Sequence, residues 1–88
     1  MRRRIAYQLF DAASSIGSNL EEAKSSYSRK EFAAKNCISL KESREAGYWL
    51  RVADTKRLGP AQLRAKLLAE SNRLTAILTT IVKRLQRD

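Results

Sequence analysis

Apolar residues recur every three or four positions along most of this 88-residue chain, and that period is typical of amphipathic helices. The first segment with this pattern covers about residues 2–25 and the last covers about residues 60–87. The apolar series of the first segment is Ile5, Leu9, Ala12, Ile16, Leu20 and Ala23. The series of the last segment is Leu67, Ser71, Leu74, Leu78, Ile81 and Leu85. Its alternating steps of four and three indicate helices that pack at about 20°.

Two short stretches interrupt the helical pattern. Ser28 and Glu31 have the spacing of a capping box, which predicts a second helix over about residues 29–56. Gly59 suits the position past the end of that helix, and Pro60 suits the first turn of the next one. Because both connections are short, consecutive helices should run antiparallel. The sequence therefore predicts an all-α, up-down bundle of three long helices that forms a single domain over residues 1–88.

A chain of this length buries only a small core, and the sequence offers few ways to reinforce it. Cys37 is the only cysteine and there is no histidine, which leaves neither an intrachain disulfide nor a zinc site. We therefore expect oligomerisation to complete the bundle. The first helix has a second apolar surface that needs another neighbour, although Phe10 could equally belong to the core of its own chain. The candidate interface residues are Phe10, Ala13, Gly17 and Trp49.

The net charge of +9 favours a polyanionic partner, either nucleic acid or an anionic membrane surface. One stripe of the second helix places an aromatic ring among cations, an arrangement that contacts phosphates and stacks on bases. A solvated polar face has the same spacing and is the alternative. The candidate nucleic-acid-binding residues are Arg2, Arg3, Arg4, Lys30, Lys41, Arg44, Tyr48 and Arg51. A further cluster of Lys83, Arg84 and Arg87 is equally well explained as favourable charge at a helix C-terminus.

Catalytic chemistry has little support in this sequence. Without histidine there is no side chain that normally transfers protons near neutral pH, and Cys37 has no imidazole partner. The glycines are isolated, so no phosphate-binding loop is present. Glu42 and Glu45 flank the core of the second helix, where we expect Ser15, Asn19 or an arginine on another helix to bond with them. We predict no enzyme activity, no cofactor, no metal site and no small-molecule substrate.

Three sequence blocks resemble a bacterial family of four-helix-bundle proteins encoded by intervening sequences in large-subunit rRNA genes. The blocks are residues 14–23 (SSIGSNLEEA), residues 28–32 with 38–45 (SRKEF and ISLKESRE), and residues 48–50 (YWL). The resemblance covers about residues 3–85. It implies an antiparallel four-helix-bundle type of fold that assembles into a homopentameric ring, and related accessory proteins bind nucleic acid. Members usually have one more helix ahead of the position of Arg2, where this chain begins.

The function predicted from the sequence is binding of RNA or DNA without strong sequence specificity. The alternative is a scaffold or adaptor that binds another protein through its helical flanks, using Phe10 or Trp49. Binding to a membrane surface ranks third, because the apolar series are needed for packing within the bundle. No apolar run reaches the length of a membrane span, and Gln8 and Asp11 interrupt the stretch after the basic N-terminus, so we expect a cytoplasmic protein.

Overall fold

The computed structural model describes residues 2–87, and these form three α-helices without any strand. Helix α1 covers Arg2–Lys24, α2 covers Arg29–Thr55 and α3 covers Ala61–Gln86. The prediction of an all-α fold is confirmed. Each helix ends one residue earlier than the apolar pattern predicts. Helix α3 also begins one residue later than predicted, because Pro60 has an extended backbone and precedes the helix as its N-cap.

The connection between α1 and α2 ends in a side-chain cap, as the sequence predicts. Ser28 has an extended backbone, and its hydroxyl oxygen accepts a hydrogen bond from the Glu31 N–H at 3.0 Å. This bond satisfies one of the backbone donors that the first turn of a helix leaves without an intrahelical acceptor. The acidic side chain of Glu31 in that turn also complements the positive end of the helix dipole.

The end of α2 differs from the predicted one. Arg57, rather than Gly59, occupies the left-handed position just past the helix, with φ of 56°. The N–H of Arg57 donates to the carbonyl of Asp54, and the N–H of Leu58 donates to that of Ala53, both at 2.9 Å. These two bonds form a Schellman motif, which normally has glycine at the Arg57 position. Gly59 is also left-handed, with φ of 76°, so the turn before Pro60 uses two such residues.

Helix α2 is the centre of the fold and contacts both other helices, whereas the backbones of α1 and α3 do not meet within residues 2–87. On one side of α2, Ala46 packs with Ala12 and Ile16 of α1. On its other side, Leu40 packs with Leu78 and Val82 of α3. The partly buried Leu20 and Leu74 pack against both clusters and connect them.

Small polar residues on α2 hold the three helices together. The Ser39 hydroxyl donates to the Ile16 carbonyl of α1 at 3.3 Å, and Ser43 and Thr75 share a hydroxyl–hydroxyl bond of 2.6 Å. The Arg64 guanidinium donates to the Asp54 carboxylate at 2.8 Å. Later positions of α2 thus meet earlier positions of α3, in one constant register.

The three helices form a slab with dimensions of 43 × 20 × 14 Å. Because α1 and α3 do not meet, an apolar groove of about 360 Å³ lies between them over α2. Phe10 lies beside this groove and is 72% exposed, so it does not belong to the core of its own chain. The apolar groove is lined by Leu9, Ala13, Ile16, Ser43, Ala46, Leu50, Leu67, Glu70, Ser71 and Leu74.

Replacing Arg57 with glycine should stabilise the fold, because a side chain in the left-handed region costs roughly 1 kcal/mol. For a domain of this size the melting temperature should rise by about 4–8 °C in a thermal unfolding scan followed by circular dichroism. Lys56→Gly is the matched control, since Lys56 has a right-handed backbone with φ of −82°. That control should lower the melting temperature. An unchanged or lower value for Arg57→Gly would contradict the assignment of strain to this turn.

Candidate functional site

A groove between α2 and α3 brings together three cations from the two helices. Its volume is about 340 Å³, and it shares no residue with the apolar groove. Lys41 and Arg44 come from α2, and Lys83 comes from the last turn of α3. No carboxylate is among its lining residues. This basic groove is lined by Cys37, Leu40, Lys41, Arg44, Thr79, Val82, Lys83 and Gln86.

The floor of the basic groove is rigid and its rim is charged. Leu40 and Val82 are buried in the α2–α3 core, which fixes the backbone beneath the cations. Lys41, Arg44 and Lys83 are all exposed. In residues 2–87 ion pairs form at other cations, and none of these pairs involves the three groove residues. Their charges are therefore available to an anion from solution.

A second depression continues the basic surface toward the end of α2. It measures about 220 Å³ and is lined by Tyr48, Arg51, Val52, Thr55 and Lys56. Tyr48 as a whole residue is 52% exposed, and its ring meets the Trp49 ring edge to face with centroids 5.1 Å apart. An aromatic ring held in this way offers a free face for stacking. The predicted series of cations around one aromatic residue thus lies along a continuous surface.

Gly47 lies where the side chains of Arg51 and Ser71 come close to the backbone of α2. A Cβ atom added there would lie 3.2 Å from the Arg51 guanidinium and 3.4 Å from the Ser71 hydroxyl. Gly47 is buried, so the long side chain of Arg51 can lie back over it. The guanidinium therefore lies over the backbone of α2 at Gly47, one turn before Arg51 itself.

The remaining candidates for nucleic acid contact lie elsewhere. Lys30 is exposed in the first turn of α2, well before the basic groove begins. Arg2 lines a shallow depression with Leu58 and Gly59, at the end of the bundle where the α2–α3 connection lies. Arg3 and Arg4 are exposed beside it on α1. The structure therefore joins Lys41, Arg44, Tyr48 and Arg51 but does not bring the N-terminal arginines to the same groove.

Two cations of the basic surface, Lys83 and Lys56, were not predicted from the sequence as nucleic-acid-binding residues. The charge of Lys83 is equally well explained from the sequence by the helix dipole, yet Lys83 lines the basic groove together with Lys41 and Arg44. Lys56 is not among the candidates predicted from the sequence, yet it lines the depression with Tyr48. The signal that could have found Lys83 is the register between α2 and α3, which pairs Ser43 with Thr75.

The predicted interface residues do not form one surface. Ala13 lines the apolar groove, and Phe10 and Gly17 lie one turn away from it on the same side of α1. Gly17 is open, since nothing lies within 4 Å of a Cβ atom added there. Trp49 is half-buried on α2 beside Tyr48 and is not in the groove, and its buried indole N–H has no hydrogen-bond partner among residues 2–87. Its assignment to the same interface is not supported by this placement.

The opposite flank of α2 is acidic. Burial raises the pKa of Glu42, and the neighbouring Glu45 carboxylate raises it further, both by repulsion and by accepting a hydrogen bond. The positive charge of Lys41 acts against this shift, and the more distant Asp11 adds to it. Asn19 donates to Ser15, and Lys35 pairs with Glu22 at 2.5 Å. The expectation that Ser15 or Asn19 would bond to Glu42 is therefore wrong, because these groups bond to other partners.

This flank has no metal-binding geometry. Within residues 2–87, no group of three or more Cys, Asp or Glu side chains is arranged to hold a metal ion. None of the helices described is both long enough and apolar enough to cross a membrane.

The fold and the groove define a class: small, basic, all-helical proteins with cations exposed along the central helix. Comparison with known families is more specific, because residues 2–80 match the family described as 23S rRNA-intervening sequence protein. The chain belongs to that family, and the resemblance noted in its sequence blocks is confirmed. No protein among the curated sequences matches it.

A solved structure has the same fold. It is the crystal structure of a protein of unknown function from the S23 ribosomal protein family of Bacteroides thetaiotaomicron. The two chains are 29% identical, and the match has a TM-score of 0.83. It covers 90% of this chain and 73% of that one. Neither the family description nor this structure indicates an enzyme.

The Glu42–Glu45 pair predicts a pH-dependent stability. A carboxyl whose pKa is raised by folding stabilises the fold below its ordinary pKa of 4.5, and that contribution is lost as the pH rises through the folded value. Glu42→Gln should therefore raise the melting temperature at pH 7. A like-charge pair costs about 0.2–0.5 kcal/mol, which corresponds to roughly 1–4 °C.

The gain from Glu42→Gln should disappear at about pH 4, where the native carboxyl is protonated. Glu21→Gln is the control, because Glu21 is exposed and pairs with Lys24 at 3.4 Å. That control should give no gain at either pH. Equal gains at both pH values for Glu42→Gln, measured by circular dichroism, would show that the effect does not come from charge.

Proposed function

We propose that this protein is a non-enzymatic helical-bundle protein that binds RNA or DNA through the basic groove, without strong sequence specificity. One observation supports the proposal above the others. Lys41, Arg44 and Lys83 line a single groove that has no carboxylate, and none of the three is used in an ion pair of residues 2–87. Unpaired cations on a rigid floor gain most from a chain of phosphates, because each contact releases condensed counterions.

The depression next to the groove supports the same ligand class. Tyr48 offers an exposed ring face between Arg44 and Arg51, and bases of any identity can stack on such a face. Thr79 and Gln86 are the only uncharged polar groups of the groove with oxygen or nitrogen, and the Thr79 hydroxyl already donates to the Thr75 carbonyl at 2.7 Å. Proteins distinguish bases mainly through hydrogen bonds to the base edges. A groove with so few free donors and acceptors is therefore suited to binding phosphates and not to selecting a base. The family description, which refers to 23S rRNA, makes RNA the first ligand to test.

The wider proposal concerns assembly and location. It includes an antiparallel arrangement of the helices, assembly into a homo-oligomer and a cytoplasmic location. The family resemblance implies a ring of five subunits. Repeating a weak basic groove in an oligomer raises avidity for any polyanion that reaches two grooves at once.

A protein-binding scaffold is the second candidate function. The observation in its favour is the exposure of Phe10, at 72%, on a helix whose other side is already packed. Large exposed aromatic residues are the typical anchors of protein interfaces. In that case Phe10→Ala would abolish partner binding, whereas neutralising the basic groove would leave it unchanged.

Neutralising the groove should weaken nucleic acid binding. The variant Lys41→Gln/Arg44→Gln/Lys83→Gln should bind a labelled single-stranded RNA at least about tenfold more weakly at low salt. The slope of log affinity against log salt should become shallower by about 2, because each lost phosphate contact on a single strand contributes roughly 0.7. Fluorescence anisotropy at several salt concentrations measures both quantities.

The matched control removes the same amount of charge elsewhere. Lys24→Gln/Lys66→Gln/Arg73→Gln changes three exposed cations that line neither groove, so the salt slope should stay close to that of the native protein. Equal losses from both triple variants would mean that net charge, and not the groove, determines binding. Absence of binding by the native protein at low salt would remove the nucleic acid proposal altogether.

A further inference from the structure

Tyr48 and the guanidinium of Arg51 lie side by side on the outer surface of α2. Both residues line the depression that continues the basic groove. The guanidinium lies over Gly47, the residue before Tyr48, and is 3.2 Å from the position that a Cβ atom would take there. None of the ion pairs within residues 2–87 involves Arg51. A cation and an aromatic ring are therefore available together, to the phosphate and the base of one nucleotide.

At least one face of the Tyr48 ring is open for stacking. The ring contacts that of Trp49 at an interplanar angle of 75°, with the centroids 5.1 Å apart. In an edge-to-face pair one of the two rings presents only its edge, so Trp49 covers at most one face of Tyr48. Tyr48 is 52% exposed although Trp49 lies against it. An unpaired base can stack on the remaining face, whereas a base inside a duplex is already paired and stacked.

The basic groove is too narrow for a duplex to enter. Its walls are α2 and α3, and packed helices have their axes about 8–10 Å apart. An α-helix with its side chains is about 10–12 Å across and fits into the major groove of B-DNA, so a duplex is wider than either wall. A duplex can therefore contact only the rim of the groove. The backbone of a single strand can lie between the cations of the two helices, Lys41 and Arg44 on one side and Lys83 on the other.

The carboxylates next to the basic surface also favour a narrow ligand. Glu45 is exposed and lies about 40° around α2 from Lys41, on the side away from α3. Glu42 lies further around the helix in the same direction and interacts with Glu45. A duplex placed over Lys41 covers enough of α2 to bring its phosphates close to the Glu45 carboxylate. A single strand on the α3 side of Lys41 avoids this repulsion.

We infer that the ligand of this surface is a single-stranded segment of nucleic acid, with its phosphates in the basic groove and one unpaired base on Tyr48. This assignment rests on the proposed function and makes duplexes poor ligands, with Tyr48 as the residue that distinguishes the two forms. From Lys41 to Lys56 the surface extends about 22 Å along α2, the length of roughly six nucleotides at the 3.4 Å spacing of a stacked strand. Loops and unpaired ends of a structured RNA offer segments of this kind.

The assignment is tested first with the native protein and three RNA probes. Fluorescence anisotropy at physiological salt compares a labelled uridine strand of about ten nucleotides, a duplex of the same length and an abasic strand of the same length. The uridine strand should bind at least about tenfold more tightly than the duplex, although the duplex carries twice as many phosphates. The abasic strand should also bind about tenfold more weakly than the uridine strand, because it retains the phosphates and lacks the base that stacks.

Removing the Tyr48 ring should remove the preference for a single strand. Tyr48→Leu should weaken binding of the uridine strand about tenfold and leave binding of the duplex unchanged, because only the strand stacks a base on the ring. Tyr48→Phe retains the ring and should bind the strand as the native protein does. Tyr7→Leu is the matched control, because Tyr7 is 68% exposed on α1 and lines neither the basic groove nor the depression beside it. That control should leave every affinity unchanged.

Failure of the single-strand assignment is distinguishable from failure of the proposed function. Equal affinities for the uridine strand and the duplex would overturn the assignment, and so would a Tyr48→Leu variant that retains the native preference. Either result leaves binding through the basic groove intact. Absence of binding to all three probes at low salt would overturn the proposed function and the assignment with it. If circular dichroism shows that Tyr48→Leu loses helix content, the abasic strand decides the question on the native protein.

Discussion

The close packing of α2 against both neighbouring helices is the constraint on which the rest of the structure depends. Its inward side presents small residues, namely Ser39, Ser43, Ala46 and Gly47, all of them buried. Because these side chains are short, α1 and α3 approach α2 closely and the hydroxyls reach across, to the Ile16 carbonyl on one side and to Thr75 on the other. Larger residues at these positions would move both helices away from α2 and separate the two apolar clusters.

Packing both neighbours on one helix leaves two very different surfaces. Where α1 and α3 flank α2 without meeting, the apolar groove opens along the slab. On the far side of the α2–α3 contact, the side chains of Lys41, Arg44 and Lys83 gather in the basic groove. The acidic residues Glu42 and Glu45 lie instead on the α1 side of α2, next to Asp11. The cations of the basic groove and these carboxylates therefore lie on different sides of α2, so a polyanion can contact the cations without lying against the carboxylates.

Features that depend on local sequence could be predicted, and features that depend on the register between helices could not. The hydrogen bond from the Glu31 N–H to the Ser28 hydroxyl involves four consecutive residues, and it forms as the sequence predicts. The stripe from Lys41 to Arg51 follows from the helical period alone. Lys83 is different, because its place in the same groove as Lys41 depends on the offset of α3 along α2. That offset is fixed by contacts such as Asp54 with Arg64, far along the chain from either lysine.

The end of α2 shows the same limit at a smaller scale. From the sequence, Gly59 is the residue expected to adopt the left-handed conformation after α2. The Schellman motif forms two residues earlier, at Arg57, because the N–H groups of Arg57 and Leu58 donate to the carbonyls of Asp54 and Ala53. The sequence could not predict that Phe10 is exposed, because an apolar residue at helical spacing can face either the core or a partner. Only the separation of α1 from α3 distinguishes the two cases. The same separation that exposes Phe10 also creates the apolar groove beside it, so a single packing choice at α2 determines both the available interface and the surface left for an anion.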